Sequence, residues 1–251
     1  MSDSQALRAL ALVGYGHFTT VRVTDGAVRG LNEHLERLAH DCREVFDVEL
    51  DLADVRRQLA EATATEADVL ARITIVDPEL SLVRPGADAH PRALITTRPV
   101  GAAGAPQRLH TSTYTRPLPA VKHTALFPTI RERRLAQRAG FDDAVFLDEQ
   151  GRFSEGPTFS IGFLEGDRLV WPIAEALPSV TVALVSSAWP HETAVEPVTP
   201  ADLPRFDAAF TAGSGAGIRP VASIDAHALD AAHPALAALQ RTYASVPATP
   251  L

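Results

Sequence analysis

Apolar side chains of the first hundred residues follow two spacings, one helical and one alternating. The helical spacing predicts a first helix with an apolar face formed by Leu31, Leu35, Leu38, Cys42, Val45 and Phe46. Asp51 is suited to cap a second helix that carries Leu52, Val55 and Leu59. The segments predicted as strands are Leu10–Val13, Phe18–Val23, Val69–Val76 and Arg92–Thr97.

The remaining residues predict more strands, joined by hairpin turns at 148–151 and 165–167. These strands are Thr111–Thr115, Ala144–Leu147, Arg152–Ser154, Ser160–Leu164, Arg168–Trp171, Ala208–Thr211 and Ile218–Ala222. Helices are predicted from Pro128 to Gly140, over Thr181–Ser187, and from Pro234 towards Tyr243, with a frayed C-terminus beyond. The small-residue stretch GAAGAP at 101–106 indicates a linker. The sequence therefore predicts an α+β protein with mainly antiparallel sheets, in domains at 1–101 and 109–251 that a linker at 102–108 connects.

Composition narrows the class of protein. The 251 residues are 46% hydrophobic and 22% charged, as in ordinary globular proteins. A net charge of −8 argues against a nucleic-acid binder, and Cys42, as the single cysteine, excludes an internal disulfide. The histidines lack metal-site spacing, and no apolar run is long enough for a membrane span or a signal peptide. We expect a cytoplasmic protein without a metal site, a nucleic-acid partner or a membrane partner.

Lys122 and Glu155 are the leading chemical candidates. An isolated lysine is usually a solvated surface residue, but Lys122 lies among apolar residues in LPAVKHTALFP, where its pKa is expected to fall. Glu155 follows a hairpin signal, and Gly156 after it permits close approach to a planar ligand. A nucleophilic amine and a carboxylate that pairs with a ring nitrogen are what a pyridoxal phosphate enzyme needs.

Several other positions are suited to bind an anion. Arg37 on the first helix offers a guanidinium fork to a phosphate. The glycine-rich turn around Ser214 supplies a hydroxyl and main-chain N–H groups. The segment PSVT at 178–181 precedes a helix and combines donors with the positive end of its dipole. The pattern GSGAG is not a dinucleotide loop, because a strand follows it where that motif requires a helix.

Taken in order, these segments resemble the class IV aminotransferases, the fold-type IV pyridoxal phosphate enzymes. The matching stretches cover most of the chain, and the longest of them runs from Lys122 to Glu155. They are GHFTTVRVTDG at 16–26, LNEHLERL at 31–38, residues 121–156, LVWP at 169–172, LPSVT at 177–181 and FTAGSGAGIRPV at 210–221. The resemblance implies a small N-terminal α/β sandwich and a larger C-terminal barrel-like domain that carries the lysine.

The resemblance also implies roles for individual residues. Lys122 would be the Schiff-base lysine and proton shuttle, and Glu155 would pair with the pyridine nitrogen. The residues that would hold the phosphate are Arg37, Val180, Thr181 and Ser214. Arg72 matches a position that contacts a substrate carboxylate in some members. Relatives of this kind usually form homodimers, which is expected here as well.

Four positions depart from the family pattern, one of which is Val182, where an arginine often follows the threonine of the phosphate loop. Ser160 replaces an asparagine that often follows the glutamate, Phe127 replaces the tyrosine of branched-chain enzymes, and Ser179 replaces a glycine of the phosphate loop. The leading hypothesis is an aminotransferase that uses pyridoxal 5'-phosphate, an amino acid or related amine, and a keto acid. The alternatives are a 4-amino-4-deoxychorismate lyase, which releases pyruvate, and a non-catalytic homologue that binds a small anion or serves as a scaffold.

Overall fold

The protein is described by a computed structural model over residues 3–102 and 104–251. Its contacts divide the chain into two compact units. Unit 1 contains the described residues up to Val100, together with Val121–Leu126 and Pro247–Leu251. Unit 2 contains the described residues of Gly101–Ala120 and all of Phe127–Val246.

Unit 1 is built on an antiparallel sheet of five strands. The strands are β1 (His17–Thr24), β2 (Ala27–Arg29), β3 (Asp68–Val76), β4 (Arg92–Pro99) and β13 (Ala248–Pro250). Their order is β13-β2-β1-β3-β4, so β1 and β3 each have a neighbouring strand on both sides. Five of the eight residues of β1 are buried, whereas Arg22 is exposed and Thr20 and Thr24 are partly exposed.

Three helices complete unit 1: α1 (Asp3–Val13), α2 (Leu31–Phe46) and α3 (Leu52–Thr63). The side chain of Asp51 accepts the Asp54 N–H and caps α3, as predicted. The apolar face of α2 packs on the sheet, and Leu31, Leu38 and Cys42 are fully buried there. Burying a leucine side chain contributes roughly 1.5–3 kcal/mol, so this face holds α2 firmly against β1.

Unit 2 contains a mixed sheet of eight strands. They are β5 (Gln107–Thr113), β6 (Asp143–Leu147), β7 (Ser160–Glu165), β8 (Arg168–Pro172), β9 (Thr193–Glu196), β10 (Ala208–Gly213), β11 (Gly217–Ile224) and β12 (His227–Ala228). The order is β6-β5-β11-β10-β7-β8-β9, with β12 paired to β11. The pairs β5–β6, β5–β11 and β8–β9 are parallel, whereas the other pairs are antiparallel.

The helices of unit 2 are α4 (Phe127–Arg138), α5 (Val180–Ala188) and α6 (Pro234–Ser245), and a 3₁₀ turn spans Pro200–Arg205. Helix α4 begins one residue before Pro128, and Gly140 follows its end with a φ of 92°. Helix α6 begins at Pro234, as predicted. The core is aromatic, with the rings of Phe153, Phe163 and Phe206 in contact.

Most predicted elements are confirmed, and the exceptions have physical reasons. The predicted strand Arg152–Ser154 is reduced to an isolated bridge between Phe153 and Leu147, because the Phe153 N–H donates to the Val198 carbonyl and not to β6. Leu10–Val13 belongs to helix α1 and not to a strand, because a short run of leucine and alanine also suits a helix. The C-terminus does not fray, since β13 pairs with β2. The prediction of mainly antiparallel sheets holds for unit 1, but unit 2 is mixed. Strand β5 begins at Gln107, inside the predicted linker.

The boundaries of the two units differ from the predicted domains. Val121–Leu126 groups with unit 1 because its main chain is hydrogen bonded to β1 and the residues before it. Pro247–Leu251 groups with unit 1 through β13. Ala103, within the predicted linker, and residues 1 and 2 of the predicted first domain lie outside the described residues. Among the described residues, none of the helices is both long and apolar enough to cross a membrane.

Candidate functional site

Lys122 lies in unit 1 on a short extended segment whose main chain is held on both sides. Its carbonyl oxygen accepts the Phe18 N–H at 2.9 Å, and its own N–H donates to Oδ2 of Asp41 at 3.1 Å. Two residues on, the Thr124 N–H donates to the carbonyl oxygen of Gly16 at 2.8 Å. A Cβ on Gly16 would lie 2.5 Å from the Ile75 oxygen, so only glycine fits where this segment meets the sheet.

The Lys122 side chain shares the ring of Phe18 with a second cation. The Lys122 Nζ lies 5.1 Å from the centroid of this ring, and the Arg72 Cζ lies 3.6 Å from it. Both distances lie within the range of cation–π attraction. Arg72 is half-buried in β3, its Nε donates to Thr74 Oγ1 at 3.2 Å, and desolvation lowers its pKa. Unit 1 therefore brings Lys122 and Arg72 to one aromatic side chain.

Arg37 takes part in a buried polar cluster between α2 and β1. Its Nη2 donates to Thr19 Oγ1 at 2.7 Å. The same hydroxyl lies 2.7 Å from Nδ1 of His34, so it can accept from Arg37 and donate to a neutral imidazole. Burial, followed by the charges of Arg37 and Lys122, lowers the pKa of His34 to about 3. His34 is therefore neutral at physiological pH, and the cationic charge of this cluster resides on Arg37.

Glu155 is held in unit 2 by an arginine that the sequence did not single out. The Arg116 guanidinium makes three contacts with its carboxylate, at 2.8, 2.9 and 3.0 Å. The two side chains are only 7% and 10% exposed, and the Leu177 N–H adds a bond of 3.3 Å. A bidentate contact of this kind fixes the carboxylate in one orientation. Glu155 is consequently a buried carboxylate with a fixed orientation.

The predicted phosphate residues Val180, Thr181 and Ser214 lie in unit 2, where the first turn of α5 adjoins the turn between β10 and β11. Thr181 Oγ1 lies 3.2 Å from Ser214 Oγ. Ser179 caps α5 by accepting the Val182 N–H, so its hydroxyl serves the helix. Two neighbouring hydroxyls at a helix N-terminus form a donor set suited to an anion.

The other departures from the family pattern have identifiable surroundings. Phe127 begins α4 and is 81% exposed, so its ring takes no part in the core. Ser160 pairs with Glu155 through an antiparallel bridge. Gly156, whose N–H donates to the Phe159 carbonyl, has no room for a side chain: a Cβ would lie 2.2 Å from the Phe159 ring. Glycine at 156 thus lets the Phe159 ring lie directly against the main chain.

The predicted site residues divide between the two units: Arg37, Arg72 and Lys122 lie in unit 1, whereas Glu155, Val180, Thr181 and Ser214 lie in unit 2. Sequence reasoning missed Arg116 and Asp41. No local sequence pattern indicates a role for Arg116. Asp41 follows His34 and Arg37 at helical spacing, which places the three side chains on one face of the helix and could have indicated its role. A further signal is compositional, because Lys122 is the only lysine of the 251 residues.

Comparisons with known proteins show which family and which solved structures this chain is similar to. The family model for amino-transferase class IV matches residues 16–224. A hypothetical aminotransferase from Mycobacterium tuberculosis is similar in its PLP-bound form and in its form with alpha-ketoglutarate and PMP. Each superposes with a TM-score of 0.83 at 20% identity, over 94% of this chain and 90% of the other. The branched-chain amino acid aminotransferase of Escherichia coli gives a TM-score of 0.83 at 21% identity, over 93% and 85%. A search of curated proteins found no match.

Proposed function

The chain belongs to the class IV aminotransferase family, and from this premise we propose that it is an aminotransferase that uses pyridoxal 5'-phosphate. Its substrates are an amino acid or a related amine, with a keto acid as acceptor. The structural neighbours support this cofactor, since one is described as PLP-bound and another as bound to PMP and alpha-ketoglutarate. The proposed aminotransferase activity is argued below from the residues of this chain.

The observation that carries the proposal is the single lysine. Lysine and arginine together number 23, and lysine occurs once, which leaves 23 − 1 = 22 arginines. A guanidinium stays protonated and cannot act as a nucleophile, whereas a lysine amine can. Lys122 is therefore the one side-chain amine of the chain. It lies within the residues that match the class IV aminotransferase family, whose chemistry needs an amine.

The donor set of the chain fits a phosphorylated pyridine aldehyde. The hydroxyls of Thr181 and Ser214, 3.2 Å apart, and the main chain of Val180 would bind phosphate at the start of α5. Arg37 would add a guanidinium. Glu155, held in place by Arg116, would accept a hydrogen bond from the ring N–H and so favour the protonated ring nitrogen.

The bound cofactor supplies an electron sink for the bond broken at the substrate α-carbon and carries the amino group between substrates. Lys122 would hold the cofactor through its side-chain amine. The same amine of Lys122, when it is free, would act as the general base that takes the proton from the substrate α-carbon. Arg72, half-buried and stacked on Phe18, orients the substrate by its carboxylate.

Reductive trapping tests the covalent assignment. The protein is incubated with pyridoxal phosphate, reduced with borohydride, digested, and mapped by mass spectrometry. We expect one adduct on the peptide that contains Lys122 and none in Lys122→Arg, the matched control that keeps the positive charge. Because the chain has no other lysine, an adduct on a side-chain amine is unambiguous. A wild-type protein without this adduct refutes the enzyme proposal and favours the non-catalytic homologue.

The reaction is then assigned by its products. A ¹⁵N-labelled amino donor should transfer its label to an added keto acid, and no transfer should occur when the acceptor is omitted. The lyase alternative makes the opposite prediction, because aminodeoxychorismate alone would yield pyruvate without a second substrate. Pyruvate release without label transfer would replace the aminotransferase proposal with the lyase.

We also propose a homodimer in the cytoplasm as the working form, as expected for relatives of this family. Light scattering of the purified protein at micromolar concentration tests the assembly. A mass of twice 26.8 kDa is expected. A mass of one chain at that concentration contradicts the homodimer.

A further inference from the structure

Helix α2 carries a polar stripe on its buried side, formed by His34, Arg37 and Asp41. The spacing of three and four residues places these side chains on one face of the helix. His34 is 1% exposed, and Asp41 is fully buried. A buried carboxylate costs free energy unless hydrogen bonds and opposite charge compensate it. Burial accordingly raises the pKa of Asp41, while hydrogen bonds and the charge of Arg37 oppose that effect.

The partners of Asp41 explain how the carboxylate is accommodated. Its Oδ2 accepts the main-chain N–H of Lys122 at 3.1 Å. Its Oδ1 lies 3.2 Å from Nδ1 of His40, whose side chain is 51% exposed. The Lys122 carbonyl is bonded to the Phe18 N–H at 2.9 Å. The peptide groups on either side of the Lys122 Cα are thus attached to α2 and to β1.

We propose that Asp41 is a positioning residue for the reactive amine of Lys122. Its carboxylate orients the peptide group that precedes the Lys122 Cα, to which the side chain is attached. The hydrogen bond also joins this peptide group to α2, the helix that carries Arg37. This inference rests on the proposed function of Lys122. A rotation of this peptide group would move Nζ at the far end of the side chain, and a misplacement of about 1 Å can cost about a hundredfold in rate.

The single lysine provides a direct probe of this hydrogen bond. Protein labelled with ¹⁵N-lysine gives one main-chain amide signal, that of Lys122. We expect a strongly protected amide in wild type and in Asp41→Asn, whose amide oxygen also accepts. In Asp41→Ala we expect a shifted signal and hydrogen exchange at least about tenfold faster, since the acceptor is lost.

The functional readout is the rate at which Lys122 is trapped by pyridoxal phosphate and borohydride. We expect Asp41→Ala to slow trapping about tenfold or more, and Asp41→Asn to stay within about threefold of wild type, in keeping with the rate cost of misplacement. Val55→Ala, which truncates a buried side chain of α3 in the same unit, is the matched control for general loosening. It should trap at the wild-type rate.

The outcomes separate this inference from the proposed function. No trapping in wild type refutes the role of Lys122 itself. Trapping in wild type at a rate that Asp41→Ala leaves unchanged overturns the positioning role. Equal slowing in Asp41→Asn, or in Val55→Ala, also overturns it, because the hydrogen bond is then not the cause. If Asp41→Ala does not fold, Asp41→Ser takes its place, and the same criteria apply.

Discussion

Acid should destabilise unit 1 through two buried histidines, and His17 provides the sharper test. His17 is fully buried in β1, and neither ring nitrogen has a hydrogen-bond partner among the described residues. Burial lowers its pKa from 6.5 to about 3, and His34 has a pKa of about 3 as well. Below pH 6.5 the unfolded chain binds a proton at each position, and the folded chain binds neither. The folded state of unit 1 therefore has its full stability above pH 6.5 and loses stability as the pH falls towards 3.

The magnitude follows from linkage. Each histidine lowers the free energy of unfolding by about 1.4 kcal/mol per pH unit in this window. At pH 5 the loss is about 2 kcal/mol for each histidine, or about 4 kcal/mol for both. Since domains are stable by about 5–15 kcal/mol, this loss is a large share of the stability of unit 1.

His17→Phe isolates one of the two contributions. The variant should lose the dependence that belongs to His17, about 1.4 kcal/mol per pH unit, relative to wild type. Carboxylates that also titrate are common to both proteins and cancel in this difference. At pH 8 the variant should be equal to wild type or more stable by about 1 kcal/mol, because two unpaired buried nitrogens are removed. His17→Leu repeats the test if the larger ring does not fit.

The assay must report on unit 1. Both tryptophans, Trp171 and Trp189, lie in unit 2, so their fluorescence reports the unfolding of unit 2 and not that of unit 1. Native-state hydrogen exchange of peptides from β1, measured as a function of urea at fixed pH, gives the local free energy of unfolding. Identical dependence on pH in wild type and His17→Phe between pH 4 and 6.5 would refute the reasoning, as would a His17 pKa near 6.5 by NMR.

Three further predictions concern other parts of the chain. Arg116→Met should destabilise unit 2 by about 3 kcal/mol, by tryptophan fluorescence in urea, because it strands the buried Glu155 charge; adding Glu155→Gln should restore much of the loss. The double variant Thr181→Ala/Ser214→Ala should bind pyridoxal phosphate about a hundredfold more weakly in equilibrium dialysis, because each lost hydrogen bond costs roughly 1.5 kcal/mol. Its affinity for pyridoxal, which lacks the phosphate, should change little. Deleting residues 247–251 removes β13 and should accelerate exchange in β2.

Matched controls accompany these three predictions. Arg108→Met breaks an ion pair with Asp142 in which the two side chains are 57% and 41% exposed, and it should cost at most about 1 kcal/mol. A loss as large as that of Arg116→Met would remove burial as the explanation. Equal weakening of pyridoxal and pyridoxal phosphate would contradict the phosphate assignment. Unchanged exchange in β2 after the deletion would show that β13 contributes no stability.

Local signals made much of the fold predictable. The helices α2, α3 and α6 follow from apolar spacing, the Asp51 cap and Pro234, all of which act within a few residues. The segments that carry Lys122 and Glu155 were recognisable for the same reason, since their chemistry depends on contiguous residues. Short apolar runs were less informative, as Leu10–Val13 shows, because a few residues suit a helix as well as a strand.

The chain order alone determined the helices, most strands and the residue types available for chemistry. Only the tertiary structure decided which of them meet. Arg116 reaches Glu155 across 39 positions, Asp41 reaches the Lys122 main chain across 81, and β13 joins β2 from the far end of the chain. Such pairings depend on burial and on hydrogen bonds between segments whose own sequences do not indicate their partners. Their energy comes from the assembled core and cannot be read from local propensity.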